Sequence, residues 1–93
     1  MRIIEICFTG FDTAERKKLW DLADSKGFLV RKEVTKNLHV LCVGDNAGPK
    51  KLEAAIKDGV VIMSGNDFIA YTDTGIPQPI KDAIEQLRLS RQV

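Results

Sequence analysis

The chain predicts an α/β domain built on a small, mostly parallel sheet with helices on both faces. Three observations carry this expectation. Short apolar runs alternate with segments of helical periodicity in the order β-α-β-β-α-β-α. Two of the apolar runs, Ile3–Phe8 and Leu38–Val43, pass through a glycine into a helix-like pattern, as in a βα unit. The run Leu38–Val43 contains no proline and no Asp, Glu, Lys or Arg, which suits an inner strand covered on both faces.

The elements follow in order. Ile3–Phe8 is apolar apart from Glu5 and reads as the first strand. Asp12 and Thr13 are N-cap candidates, and Asp12 with Glu15 has capping-box spacing. The first helix runs to about Lys26, with Leu19, Trp20, Leu22 and Ala23 facing inward. Gly27 stops it. Phe28–Val30 is a short strand, Thr35-Lys36-Asn37 a turn, and Leu38–Val43 the strongest strand. Gly48-Pro49 opens the second helix, with Pro49 at its first position. Leu52, Ala55 and Ile56 give that helix its buried face, and Gly59 ends it. Val60–Met63 is a fourth strand, and Ser64 caps a short third helix holding Phe68, Ile69 and Tyr71. The expected domain is 1–72, followed by a polar linker over 73–79 and an amphipathic helix over 80–91, whose stripe is Ile80, Ala83, Ile84 and Leu87. That stripe either packs on the domain or offers Ile80, Ile84 and Leu87 to a partner.

Composition bounds the function. A chain of 93 residues makes one domain whose core needs no metal or disulfide. The formal net charge is +1, so contact with nucleic acid must come from local clusters. Cys7 and Cys42 lie inside apolar runs without a C-x-x-C motif and read as buried, reduced thiols of a cytosolic protein. No apolar stretch reaches membrane-spanning length, and the start lacks the apolar region of a signal peptide. Met1 is read as an independent start, with a piece of a longer enzyme as the alternative. No cofactor and no metal site is expected. Paired carboxylates, a metal-ligating cluster and a nucleophile with its base are all missing, so an enzyme is not expected. His39, the single histidine, reads as structural.

The chemistry concentrates where the two glycine junctions meet helices. Helix N-termini carry free N–H groups and partial positive charge, and they attract anions. Lysine at such a position, as Lys50 and Lys51 are, is electrostatically misplaced unless something negative binds. Neighbouring parallel strands end on the same side, so the junctions at Thr9-Gly10 and Gly48–Lys51 should converge. A hydroxyl, a backbone N–H and an ammonium are donors that suit a tetrahedral anion. Arg16 would add a fork, and Lys17 and Lys18 weaker charge for flanking phosphates. The plainer readings are a turn at Thr9-Gly10, a solvated helix start at Lys50-Lys51 and a solvated face at Arg16-Lys17-Lys18. Trp20 reads as core or as a half-exposed helix anchor.

The ordered set Phe8-Thr9-Gly10, Gly27, Val34-Thr35-Lys36-Asn37, Val43-Gly44-Asp45-Asn46-Ala47-Gly48 and Lys51-Leu52 with Ala55 and Gly59 resembles a BRCT domain over residues 3 to about 72. The part from Gly44 to Gly59 is most similar to the BRCT domains of NAD-dependent DNA ligases and of the replication factor C large subunit. There are departures. The family's double glycine is Gly27-Phe28 here, and Phe68 stands where the third helix often has tryptophan, as in ligase-type members.

The resemblance implies a four-stranded parallel sheet of order 2-1-3-4, with helices one and three on one face and helix two on the other. It implies a non-catalytic module of DNA replication and repair. It also implies a phosphate site at Thr9, Gly10 and Lys51, with Arg16 matching a further phosphate contact across a one-residue gap. The expected partner is DNA carrying a 5′-phosphate. The alternative is a phosphoprotein, a second copy of the chain or another replication or repair protein; a membrane is not expected. The expected location is cytoplasmic, with the nucleoid in a bacterium or the nucleus in a eukaryote.

Overall fold

The computed structural model describes residues 3–91. The readings of Met1 as an independent start and of a domain beginning at residue 1 fall outside the described residues. Eight elements follow the expected alternation, with one more helix: β1 (Glu5–Thr9), α1 (Thr13–Ser25), β2 (Leu29–Arg31), β3 (Val40–Val43), α2 (Pro49–Lys57), β4 (Val61–Ser64), α3 (Gly65–Thr74) and α4 (Gln78–Arg91). The strands form one sheet of order β2-β1-β3-β4. All three pairings are parallel, as the sequence pattern and the resemblance both implied.

The side-chain period of two assigns alternate residues of each strand to opposite faces. Ile6, Phe8, Val40 and Cys42 join Met63 on one face, beneath Leu19 and Ala23 of α1, Phe68 of α3 and Ile84 of α4. Cys7 and Leu41 lie on the other face with Leu38, Val60 and Ala55 of α2. β3 is therefore inside the sheet and covered on both sides, which explains its uncharged composition. The same alternation separates the thiols. Cys7 is opposite Leu41, and Cys42 is opposite Phe8, so the two free cysteines occupy different faces. Burial, aided by Asp67 and Cys7, pushes the Cys42 thiol up to about 12, which makes it a core side chain rather than a thiolate nucleophile.

Several boundaries differ from the sequence reading. The ladder of β3 begins at Val40, although the backbone is already engaged at His39, whose N–H donates to the Glu5 carbonyl at 3.0 Å. The connection expected over 73–79 is shorter, because α3 continues through Thr74 and α4 starts at Gln78. Thr72 and Thr74 donate back to the carbonyls of Ile69 and Ala70, at 2.8 and 2.9 Å. These bonds satisfy both hydroxyls inside the helix, and Gly75 ends it at φ 102°.

The stripe on α4 is internal packing. Ile84 and Leu87 are buried, and Ile80 packs against the α1/α3-face core. None of the three forms an exposed docking stripe. Arg88 Nη2 donates to the Ile3 carbonyl at 2.9 Å, and Arg91 Nη1 to the Leu38 carbonyl at 2.7 Å. These bonds fix α4 across the entry ends of β1 and β3. No described helix is long and apolar enough to cross a membrane.

Candidate phosphate site and its relatives

The C-terminal ends of the parallel strands share one edge, and two of the loops leaving that edge are locked together. Thr9, the last residue of β1, is buried and lies opposite Val43. Beyond that pair, Gly44 N–H donates to the Thr9 carbonyl at 2.8 Å, and Asn46 N–H to the Gly10 carbonyl at 3.1 Å. Gly10 has φ 82°, and a Cβ there would lie 2.3 Å from the Ala47 nitrogen. A Cβ on Gly44 would lie 2.4 Å from the Gly10 oxygen. Both positions thus exclude any side chain. The two glycines hold the β1–α1 loop directly against the β3–α2 loop that feeds α2.

The three helices that leave this edge start differently. Asp12 caps α1 by accepting from Glu15 N–H at 2.8 Å, and Glu15 adds an acid to the first turn. Ser64 caps α3 by accepting from Asp67 N–H at 3.0 Å, with Asp67 the acid in that first turn. At α2 the N-cap is Gly48, which has no capping side chain. Pro49 stands at N1 as expected, the first turn holds no acid, and Lys50 and Lys51 occupy it. The orphan N–H groups and the helix dipole thus add to two ammonium charges. Lys50 is exposed and Lys51 half-buried. Neither forms an ion pair with an acid among the described residues.

Arg16 lies on α1 with its guanidinium carbon 5.7 Å from the centre of the Trp20 ring. Burial pushes the Cys7 thiol up, while Lys51 and then Arg16 pull it down against Glu33. Both cations therefore act on the buried thiol in the middle of β1. The basic triplet is not a single patch. Arg16 and Lys17 line an open recess with Phe11, Thr13, Trp20 and Asp21. Lys18 instead borders a recess on the α3 side with Phe11, Leu19 and Ile69.

Phe11 is the residue whose importance the sequence reading missed. Its ring lies under α3, so that a Cβ on Gly65 would be 2.9 Å from it, and it also meets Phe8 edge-on at 6.4 Å. It fixes the loop after Gly10 against β4 and α3. An apolar residue directly after a loop glycine was the available signal. His39 is structural, as expected: its buried Nδ1 accepts from Glu5 N–H at 2.9 Å. No group of three or more metal-ligating side chains occurs among the described residues.

With this geometry in place, known proteins can be compared. The model of the BRCA1 C Terminus (BRCT) domain family matches residues 2–70. The chain belongs to the BRCT family. The curated relatives are DNA ligases. That of Cytophaga hutchinsonii is 38% identical over 64 residues, covering 69% of this chain and 10% of the ligase. That of Nitratidesulfovibrio vulgaris is 36% identical over 74 residues, covering 78% of this chain and 9% of the ligase. The chain thus spans about a tenth of the length of these relatives. Among solved structures, Rad4 BRCT1,2 in complex with a Crb2 phosphopeptide superposes with TM-score 0.64 at 28% identity, over 76% of this chain and 40% of that one. The C-terminal BRCT domain of human XRCC1 superposes with TM-score 0.67 at 12% identity, over 83% and 84% of the two chains, and shows the shared fold. The family and the fold expected from the sequence both stand.

Proposed function

We propose that this BRCT domain is a non-catalytic phosphate-reading module for 5′-phosphorylated DNA ends or nicks. The observation that carries the reading is the start of α2. It is uncapped, free of acid and loaded with Lys50 and Lys51, and the loop that feeds it is held against the Gly10 loop by backbone hydrogen bonds from Gly44 and Asn46. Thr9 and the Gly10 N–H would hold the phosphate oxygens, Lys51 would supply the nearest charge, and Lys50 and Arg16 would complete the shell. Similarity to bacterial DNA ligases supports a DNA partner. Any ligase activity would belong to other parts of a longer protein or to a partner enzyme.

A second reading has its own support, because Rad4 BRCT1,2 holds a phosphopeptide. Phosphopeptide recognition would use the same donors. The single domain here matches only 40% of that two-domain chain, so any peptide contact that needs a second domain would have no counterpart. Self-association is the remaining alternative, and sedimentation at several protein concentrations tests it.

The deciding experiment compares one duplex with and without a 5′-phosphate, at two salt concentrations, against a phosphopeptide and its unphosphorylated form. The DNA reading expects a phosphate-dependent affinity that falls steeply with salt, since each neutralised phosphate steepens the dependence. Equal binding of phosphorylated and unphosphorylated duplex would sink it. Phosphate-dependent binding of the peptide alone would favour the second reading.

A further inference from the structure

The exposed stripe of α1 carries a recess that shares only Arg16 with the phosphate shell. Thr13, Arg16, Lys17, Trp20 and Asp21 recur at helical spacing on one face. With Phe11 they line an open recess of about 380 Å³, larger than the roughly 150 Å³ that encloses a benzene ring. Trp20 is the single tryptophan of the chain. It belongs to neither core cluster and remains half-buried. Its aromatic surface carries a cation, Arg16.

We propose that this recess seats an unpaired DNA base next to the 5′-phosphate; the inference rests on the phosphate reading above. Phe11 follows Gly10 directly, so the recess begins where the phosphate seat ends. A base offers a π-face to the indole and to the planar guanidinium, and such stacking is tolerant of base identity. Asp21 gives the recess a direction. Its carboxylate repels a phosphate but accepts from a base amino group. Lys17, on the same face, faces the next backbone phosphate. The domain would therefore prefer a 5′-phosphorylated end whose terminal nucleotide is unpaired over a fully paired one.

The test uses the full chain and labelled duplexes with paired or unpaired 5′-terminal nucleotides, each with and without the phosphate. Binding is read by anisotropy and Trp20 quenching by intrinsic fluorescence. The wild type should bind the unpaired, phosphorylated end roughly tenfold more tightly than the paired one, the scale that one stacked base supplies, and should quench Trp20. Trp20→Leu should erase the unpaired-end preference and keep the phosphate preference. Trp20→Phe should restore most of it in the anisotropy assay, and circular dichroism checks folding. If Trp20→Leu does not fold, Arg16→Gln decides through the ratio of unpaired-end to paired-end affinity for unphosphorylated duplexes, which should fall several-fold and from which the phosphate contact of Arg16 cancels. Equal wild-type affinity for both ends, or a preference that survives Trp20→Leu and Arg16→Gln, overturns the base seat. If Trp20-dependent preference persists while phosphate makes no difference, the phosphate reading fails and the base seat stands.

Discussion

At the N-terminal ends of the strands, Arg88 and Arg91 reach from α4 to the carbonyls of Ile3 and Leu38. His39 there is buried and accepts from Glu5. At the C-terminal ends, Lys50 and Lys51 stand on an uncapped helix start, and Arg16 lies in the first turns of α1, which leaves the same edge. Among the described residues, none of these three cations has a carboxylate partner. Both ends are basic, but only one end uses its charge to hold the fold together. The difference separates cations that hold the fold together from cations that no described carboxylate engages, and it is set by what the sheet edge leaves unsatisfied. Incoming chains leave carbonyls for arginine, whereas outgoing chains feed helix N-termini that present N–H groups.

Substitutions can break or sharpen this contrast. The largest effect belongs to the core that joins the two ends. Leu41→Ala, fully buried on the α2 face, should cost ~2–5 kcal/mol in chemical denaturation through the cavity it leaves. A loss below about 1 kcal/mol would mean that β3 is not packed as described.

Two glycines with similar backbone angles should then part company. Gly10 at φ 82° abuts the Ala47 backbone, whereas Gly27 at φ 85° has open space around its missing Cβ. Gly27→Ala should cost about 1–2 kcal/mol from the left-handed conformation alone. Gly10→Ala adds a steric clash to that strain, so it should cost more and also disturb the phosphate loop. Equal midpoints for the two variants would count against the locked loops.

Arg91→Ala should remove the bond to the Leu38 carbonyl and cost about 1–3 kcal/mol, as for hydrogen bonds made by charged groups. Lys51→Ala should change stability by less than about 0.5 kcal/mol. Similar losses at the two positions would erase the distinction between the ends.

His39 adds a pH signature to the N-terminal end. Burial, then Arg88 and Arg91, hold its pKa below the ordinary 6.5, with Glu5 opposing. The unfolded chain therefore binds the proton first as pH falls. Stability from this group is complete above about pH 6.5 and declines as pH falls from there through the lowered folded value. His39→Asn should flatten that part of the stability–pH curve, and an unchanged slope would show that other groups produce it.

Much of this was legible in the sequence because it depends on local chemistry. Asp12 and Ser64 cap where their spacing to Glu15 and Asp67 indicates, Pro49 opens α2, and Gly27 adopts positive φ. The uncharged run around Leu41 marked the inner strand. The hidden parts depend on distant contacts. Thr72 and Thr74 turn their hydroxyls back onto carbonyls within α3, so a polar stretch that reads as a linker is helical. Gln78 Nε2 donates to Asp82 Oδ1 at 2.8 Å across the first turn of α4. The fate of the Ile84 and Leu87 stripe required knowing which surface lay opposite. Trp20 sits beside Leu19 in sequence but on a different face, which apolar spacing alone did not separate. Phe11 depends on a strand more than fifty residues away.

The central claim is that the α2 end of the sheet reads phosphate. Its most direct test is the affinity of wild-type and Lys51→Ala protein for one duplex with and without a 5′-phosphate, at low and moderate salt. The account predicts that the wild type distinguishes the two duplexes, that Lys51→Ala loses the distinction with its folding intact, and that Lys51→Glu abolishes binding. A wild-type protein that binds both duplexes equally, or a Lys51→Ala variant that discriminates as well as wild type, would contradict it.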